Sequence, residues 1–336
     1  MIISRTPFRI SFFGGGTDYP EWFEINNGYT ISTTIDKYCY INLRNLPPFF
    51  SYKFRLRYFI KEEINKISQI KHPSIKHCLK YMGFENTKKG LEIVHHADLP
   101  ALSGLGSSST FTVGLLNTLY AYKNIFVTKK KLAMDAIHVE RNLIGEKVGS
   151  QDQTAASFGG LNFSTYESNG NIKVENIPIS STSIKEIENH SMLFFTGLQR
   201  SANNIAQDKV ENIKKNKINS NLYKIQEITN QAVQEIFMKK KIDFKIFGQA
   251  LSETWNEKKK LSLKVSNTKI DEIYKIALSS GAYGGKLLGA GGGGFFIFMV
   301  PKQKQMKLKK ELSKLLHVPF RIDNTGSQII YYSSQK

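Results

Sequence analysis

The stretch Pro100-Ala-Leu-Ser103-Gly104-Leu105-Gly106-Ser107-Ser108-Ser109 decides how this chain is read. Gly104 and Gly106 carry no Cβ, so the backbone there reaches torsions closed to other residues and can bring its N–H groups against a bulky anion. The serines have the chemistry of helix caps. Beyond them Phe111, Val113, Leu115, Leu116 and Leu119 recur at helical spacing, so a helix is expected to begin at the serines. Its first turn offers unpaired N–H donors and about half an elementary charge, which suits a triphosphate. A hydroxyl from Ser107 or Ser108 is also a hard ligand for Mg2+. A capped helix behind a plain glycine turn has the same spacing, and no lysine follows the second glycine as in a Walker loop.

Around this stretch, 336 residues with 40% apolar composition are enough for two lobes with real cores. Cys39 and Cys78 form no disulfide framework and match no metal spacing, which points to a reducing cytoplasm. The amino terminus has no apolar core for secretion, and the run Phe295 to Val300 is too short to cross a bilayer, so no membrane partner is expected. A net charge of +19 raises nucleic acid as a partner. The lysines are spread, however, over presumptive helix faces from 209 to 224 and 302 to 314, with short clusters at 129–131, 239–241 and 258–260. No recognition helix or aromatic-interleaved RNA motif accompanies them. The charge reads as a solvated surface with some steering of anionic substrates, and not as a nucleic-acid site.

Strands are expected at Phe8 to Phe13, around Tyr38 to Leu43, at Tyr52 to Tyr58 and at Leu91 to His96. Glu62 to Met82 reads as helical, interrupted by Pro73, and Thr128 to Ile144 as a second helix after the glycine loop. Asn169-Gly170 between two strand-like runs is a hairpin signal, and the first lobe is expected to close after it. From Ser191 the order is strand, long helices to about Leu261, a helix from Lys269 to Ser280, a glycine loop, the strand Gly294 to Val300, a helix, and two strands near Pro319 and Ile329. The expectation is an α+β chain with lobes at 1–186 and 187–336.

Projected at about 100° per residue, the helix from Thr128 carries Leu132, Ala133, Ala136, Ile137, Leu143 and Ile144 on one stripe, with Glu140 in its middle. A buried carboxylate needs a cation, a hydrogen-bond cluster or a raised pKa, and both a structural ion pair and Mg2+ satisfy that need. Asp152, in Gly149-Ser-Gln-Asp152-Gln, is either a capping acid or the group that takes or orients a hydroxyl proton, and Arg9 is the candidate to hold it ionised. Gly14-Gly15-Gly16-Thr17-Asp18 follows a strand, with Asp18 able to accept hydrogen bonds from a polyol. A third element runs from Lys286 through Gly291 and Gly292 to Phe295. Its four consecutive glycines imply close backbone approach to the nucleotide, the substrate or the first glycine loop. His95, His96, His138, Trp22 and Trp255 read as packing residues.

In order, Pro7 to Asp18, Pro100 to Ser109 and Lys286 to Phe295 resemble the three motifs of the GHMP kinase superfamily, over nearly the whole chain. The resemblance implies a two-lobed GHMP kinase architecture, with a ribosomal-protein-S5-like N-terminal lobe and a ferredoxin-like C-terminal lobe. ATP would lie against Pro100 to Ser109, Ser108 and Glu140 would hold Mg2+, and Asp152 would be the base beside Arg9. The first motif departs from galactokinases, which carry Glu-His where this chain has Gly15-Gly16. The motif set looks most like the D-glycero-D-manno-heptose 7-phosphate kinases, which phosphorylate the anomeric hydroxyl of a sugar phosphate on the route to nucleotide-activated heptose for surface polysaccharide. An L-fucokinase-like sugar-1-kinase is the nearest alternative. A non-catalytic nucleotide- or sugar-binding regulator is the other, and Ser108, Glu140 and Asp152 argue against it. Arg200, with Lys286 second, is the candidate for the distal phosphate, and Gly15, Gly16, Thr17, Asp18, Gly291 and Gly292 for the sugar.

Overall fold

β1 (Ile2–Phe13) is buried along its last eight residues, because both of its faces are covered. It is followed by α1 (Pro20–Asn26), β2 (Gly28–Leu46), the hairpin β3 (Phe54–Arg57) and β4 (Lys61–Ile64), α2 (Pro73–Tyr81) and β5 (Gly90–Ala97). Next come α3 (Ser107–Tyr122), α4 (Lys129–His138), α5 (Gln151–Phe158), β6 (Leu161–Tyr166) and β7 (Ile172–Asn176). The second half contains α6 (Ser181–His190), β8 (Ser191–Phe195), α7 (Ala202–Lys214), α8 (Asn219–Ala232), α9 (Phe244–Lys259) and α10 (Thr268–Ser279). It ends with β9 (Gly284–Leu287), β10 (Phe295–Met299), α11 (Gln305–Glu311), β11 (Leu316–His317), β12 (Ile322–Asp323) and β13 (Gln328–Tyr332). The computed structural model describes residues 1–198 and 202–333.

The strands form two sheets. In the larger one β2, 19 residues long, pairs with β6 through its first half and with β5 through its second, while β1 runs antiparallel along most of its length. The smaller sheet has the order β11-β8-β10-β9. α3 crosses the first lobe with Ser109 to Tyr120 all buried, as a helix with little polar face must be. The lobes meet where Phe247 of α9 packs on Phe12 and Phe13 of β1, with ring centroids 5.2 and 5.6 Å apart.

Three expectations need correction. Glu62 to Met82 is not one interrupted helix: Lys61–Ile64 pairs with β3, and Pro73 opens α2 at the helix start, where its missing N–H is harmless. The helix capped by Thr128 is α-helical only to His138, and Val139–Ile144 is a π turn. The last two strands are not part of the second lobe. β12 pairs with β2 and β13 with β1, so the chain ends in the first sheet, and the assignment of 187–336 to one lobe fails at its C-terminal end. The boundary at 186 also falls inside α6. The Asn169-Gly170 turn does join β6 to β7, with Gly170 at φ +81°. Both cysteines are buried and free. Among the described residues no helix is long and apolar enough to cross a membrane.

Candidate active site

Pro7 gives no N–H to the β1–β2 ladder, and the register shifts between Pro7 and Arg9. At this bulge Arg9 faces the glycine loop: its backbone N–H donates to the Leu105 carbonyl (3.1 Å) and its Nη1 to the Gly104 carbonyl (2.8 Å). Its Nε and Nη2 donate to Asp152 Oδ1 and Oδ2 at 2.8 and 2.9 Å. One guanidinium, 3% exposed, therefore fastens β1, the loop before α3 and the first turn of α5. The bidentate geometry fixes the orientation of the carboxylate.

Gly104 and Gly106 have φ of +81° and +78°, and Gly106 is the N-cap of α3. A Cβ on Gly106 would lie 3.3 Å from Arg9 Cγ and Asp152 Oδ2, so this glycine leaves room for the ion pair as well as for a ligand. The third glycine element packs on the first. A Cβ on Gly289 would fall 2.5 Å from Gly104 Cα, one on Gly294 would fall 2.3 Å from the Ser103 carbonyl, and Phe295 N–H donates to that carbonyl (3.1 Å). Of the three approaches left open by the sequence, the structure shows this one.

A cleft of about 290 Å³ opens between these elements. Gly104, Gly106, Ser107, Ser108 and Ser109 line it, as do Arg9, Asp152, Gly15, Gly16 and Asp18. Pro100, Ser103 and Leu105 do not line it. Leu105 and Ser103 are fully buried and support the loop from behind, and Pro100 is exposed outside the cleft. Thr17 is also buried, its hydroxyl donating to the carbonyls of Gly14 (2.9 Å) and Tyr29 (3.0 Å), so it holds the turn instead of facing a ligand. Gly291 lines the cleft, whereas the Gly292 N–H is taken by the Val265 carbonyl (2.8 Å). Lys286 lines it too, with Nζ donating to the Phe12 carbonyl at 2.8 Å. Burial, then Arg9 and Lys209, hold its pKa down to about 7. Arg200 lies outside the described residues.

Among the described residues Asp18 is oriented by two backbone groups: Oδ1 accepts from Gly16 N–H (2.9 Å) and Oδ2 from Gln151 N–H (3.1 Å). Gly149 makes this possible, since a Cβ there would stand 1.9 Å from Oδ2. Glu140 sits in the π turn with no exposed surface, and burial pushes its carboxyl up to about 7 against nearby hydroxyl and amide donors. Ser109 Oγ donates to its Oε2 at 2.8 Å, as does Gln153 Nε2 at 2.5 Å. Ser109 and not Ser108 makes the direct hydrogen bond to Glu140, and Ser108 is exposed on the cleft wall.

The residues fit Mg2+. Among the described residues Glu140 Oε1 is buried without a hydrogen-bond partner, and the nearby serine hydroxyls add hard oxygens to the donor set. Among the described residues no cluster of three or more His, Cys, Asp or Glu offers a softer or all-carboxylate cage.

Two cleft residues were missed in the sequence. Lys209 and Lys258 were assigned to solvated surface, yet they are 4% and 5% exposed. Lys258 Nζ donates to the carbonyls of Leu287 (2.7 Å) and Gly289 (2.6 Å), fastening the third glycine element. The signal was the one used for Glu140. Lys258 follows Leu251, Thr254 and Trp255 on the buried stripe of α9, and Lys209 lies among Ile205, Ala206, Val210 and Ile213 on that of α7.

A nine-stranded sheet beside a four-stranded one, with glycine loops and an Arg–Asp pair in the cleft between, is the build of a two-lobed small-molecule kinase. Residues 70–160 match the family described as GHMP kinases N terminal domain, and residues 232–317 match GHMP kinases C terminal. The chain is 32% identical over 324 residues, 93% of each protein, to the D-glycero-alpha-D-manno-heptose 7-phosphate kinase of Campylobacter jejuni subsp. jejuni serotype O:2. It belongs to the GHMP kinase family, as the three motifs implied, and is a sugar kinase, an ATP-dependent phosphotransferase. A weaker likeness, 24% over 339 residues, links 94% of this chain to 31% of the bifunctional fucokinase/GDP-fucose pyrophosphorylase of Arabidopsis thaliana. In fold, the crystal structure of a D-glycero-D-manno-heptose 1-phosphate kinase from Bacteroides thetaiotaomicron superposes with a TM-score of 0.80 at 23% identity, covering 99% of this chain and 100% of that one. The expected two-lobed α+β architecture stands.

Proposed function

We propose that the chain transfers the γ-phosphoryl group of ATP to the anomeric C1 hydroxyl of D-glycero-D-manno-heptose 7-phosphate, giving the 1,7-bisphosphate and ADP. The observation that carries this reading is the bidentate Arg9–Asp152 pair, which lines one cleft with Asp18 and the amide-rich loop from Gly104 to Ser109. The 32% identity to a heptose 7-phosphate kinase supports the choice of sugar.

The phosphates of ATP lie over Gly104 to Ser109, where the first-turn N–H groups of α3 offset the charge that develops on the transferring group. Asp18 and the turn at Gly15 and Gly16 hold sugar hydroxyls. Asp152, held in place by Arg9, orients the C1 hydroxyl and takes its proton as the oxygen bonds to phosphorus and ADP departs. Glu140, with the hydroxyl of Ser108 or Ser109, would hold Mg2+, which when bound neutralises phosphate charge. Catalysis is then mainly positioning and electrostatics. In the cytoplasm this step leads toward nucleotide-activated heptose for surface polysaccharide.

A coupled ADP-release assay over heptose 7-phosphate, L-fucose and D-galactose, with the product read by phosphorus NMR, tests the reading. A new anomeric phosphate on the heptose is expected. Preferred turnover of L-fucose would replace the reading with a fucokinase-like one, in line with the similarity to the plant enzyme. Nucleotide binding without turnover of any sugar would leave a regulator.

A further inference from the structure

α7 is held firmly at the cleft. Val210 and Ile213 pack in one cluster with Tyr19, Trp22, Leu222, Ile225 and Leu261, which ties the helix to α1 and α8. One turn before Ile213, Lys209 points from the same stripe into the cleft. Its ammonium lies 4.7 Å from the centre of the Tyr19 ring, and among the described residues no carboxylate or carbonyl accepts a hydrogen bond from it.

The other buried cations of the cleft are already partnered, and Lys147, which also lines it, is exposed. Arg9 holds Asp152 and the Gly104 carbonyl, Lys258 holds two carbonyls and Lys286 one. The Asp18 carboxylate accepts from two backbone N–H groups. Lys209 thus keeps its donors free in a desolvated place, and burial pulls its pKa down while Asp18 and Asp152 pull it back up. A buried ammonium with no acceptor is costly unless a ligand supplies one. Cationic side chains lining the cleft outnumber carboxylates five to three, so the missing partner is an anion. Tyr19 adjoins Asp18 in sequence, and both line the cleft with Lys209, which sets Lys209 beside the turn proposed to hold the sugar.

We propose that Lys209 is a substrate-binding residue that takes the phosphate already carried by the acceptor sugar. The inference rests on the sugar-phosphate reading above. Arg9, Lys258 and Lys286 hold the cleft in shape and Lys147 is exposed to solvent, so among the described residues Lys209 is the buried cleft cation with donors left for the ligand.

The test is steady-state kinetics of the full chain with D-glycero-D-manno-heptose 7-phosphate and with the unphosphorylated heptose, for wild type, Lys209→Met, Lys209→Gln and Lys209→Arg. Loss of one charge-assisted bond is expected to raise the KM for the sugar phosphate about tenfold to a hundredfold in the Met and Gln variants. The KM values for ATP and for the unphosphorylated sugar stay near wild type, and Lys209→Arg recovers most of the loss. Parallel rises in every KM, or a neutral variant that keeps its preference for the phosphorylated sugar, overturn the assignment while leaving the sugar-phosphate reading intact. A wild-type enzyme that does not distinguish the two sugars overturns both.

Discussion

Asp152→Asn separates the chemistry of this site from its architecture. Each carboxylate oxygen now accepts one N–H from Arg9, at 2.8 and 2.9 Å. An amide supplies one acceptor and turns its NH2 against the guanidinium's second donor, so one of the two charge-assisted bonds is lost. A bond of that kind contributes about 1.5–3 kcal/mol, and the 31% exposure of the Asp152 side chain places this one at the lower end, about 2 kcal/mol. Arg9 keeps its bond to the Gly104 carbonyl and its backbone bond to Leu105, so the loop proposed to receive ATP holds its form. Removing the proton acceptor is expected to lower kcat by about a hundredfold to ten-thousandfold. Turnover by coupled ADP release, ATP-analogue affinity by calorimetry and thermal unfolding on the same preparation measure the three effects. A kcat within tenfold of wild type removes Asp152 from the chemistry, and loss of nucleotide affinity in step with kcat makes it a structural partner of the loop.

Gly149→Ala sets a Cβ 1.9 Å from Asp18 Oδ2, so Asp18 must move. The sugar KM is expected to rise about tenfold or more with the ATP KM unchanged, as steady-state kinetics with each substrate varied will show. Glu140→Gln keeps the bond from Ser109 but removes the ionised oxygen. The Mg2+ concentration for half-maximal turnover should rise about tenfold or more, and an unchanged requirement would exclude Glu140 as a ligand. Lys286 is held down to about 7 in the folded chain against 10.5 when unfolded, so the cost of its charge is present in full below pH 7 and is shed as pH rises toward 10.5. In denaturant titrations, wild type should therefore gain stability relative to Lys286→Met by up to about 3 kcal/mol between pH 7 and pH 9, and a difference flat with pH refutes the assignment.

What could be read in advance follows from the range of each signal. The glycine loop before α3, the Asn169-Gly170 hairpin and the burial of Glu140 are local, fixed by glycine torsions, turn chemistry and a helical stripe within about two turns. The return of β13 to β1 joins Ile2 to Tyr332, and no local pattern records a partner so far along the chain. The π turn was hidden for another reason: a widened turn rotates the stripe by a fraction of a residue and leaves the apolar spacing nearly unchanged. The lysines of the cleft show a prior overriding a pattern. Lys209 and Lys258 obey the periodicity that exposed Glu140, but the excess of positive charge invited them to be read as surface.

That excess has a structural role beyond solubility. The Phe12 carbonyl takes Lys286, Gly289 presses on Gly104, and Ser103 accepts from Phe295, so the cradle in the first lobe is shaped by groups from the second. Arg9, Lys258 and Lys286 are tolerated between the lobes because each has a carbonyl or a carboxylate beside it. Anions bound in the cleft would relieve their mutual repulsion, since Lys258 is pushed down first by burial and then by Lys286, Lys209 and Arg9. The same cations that join the lobes would therefore favour an anionic ligand in the joined cleft, so that on the proposed function closing the site and selecting its substrate are two effects of one arrangement of charge.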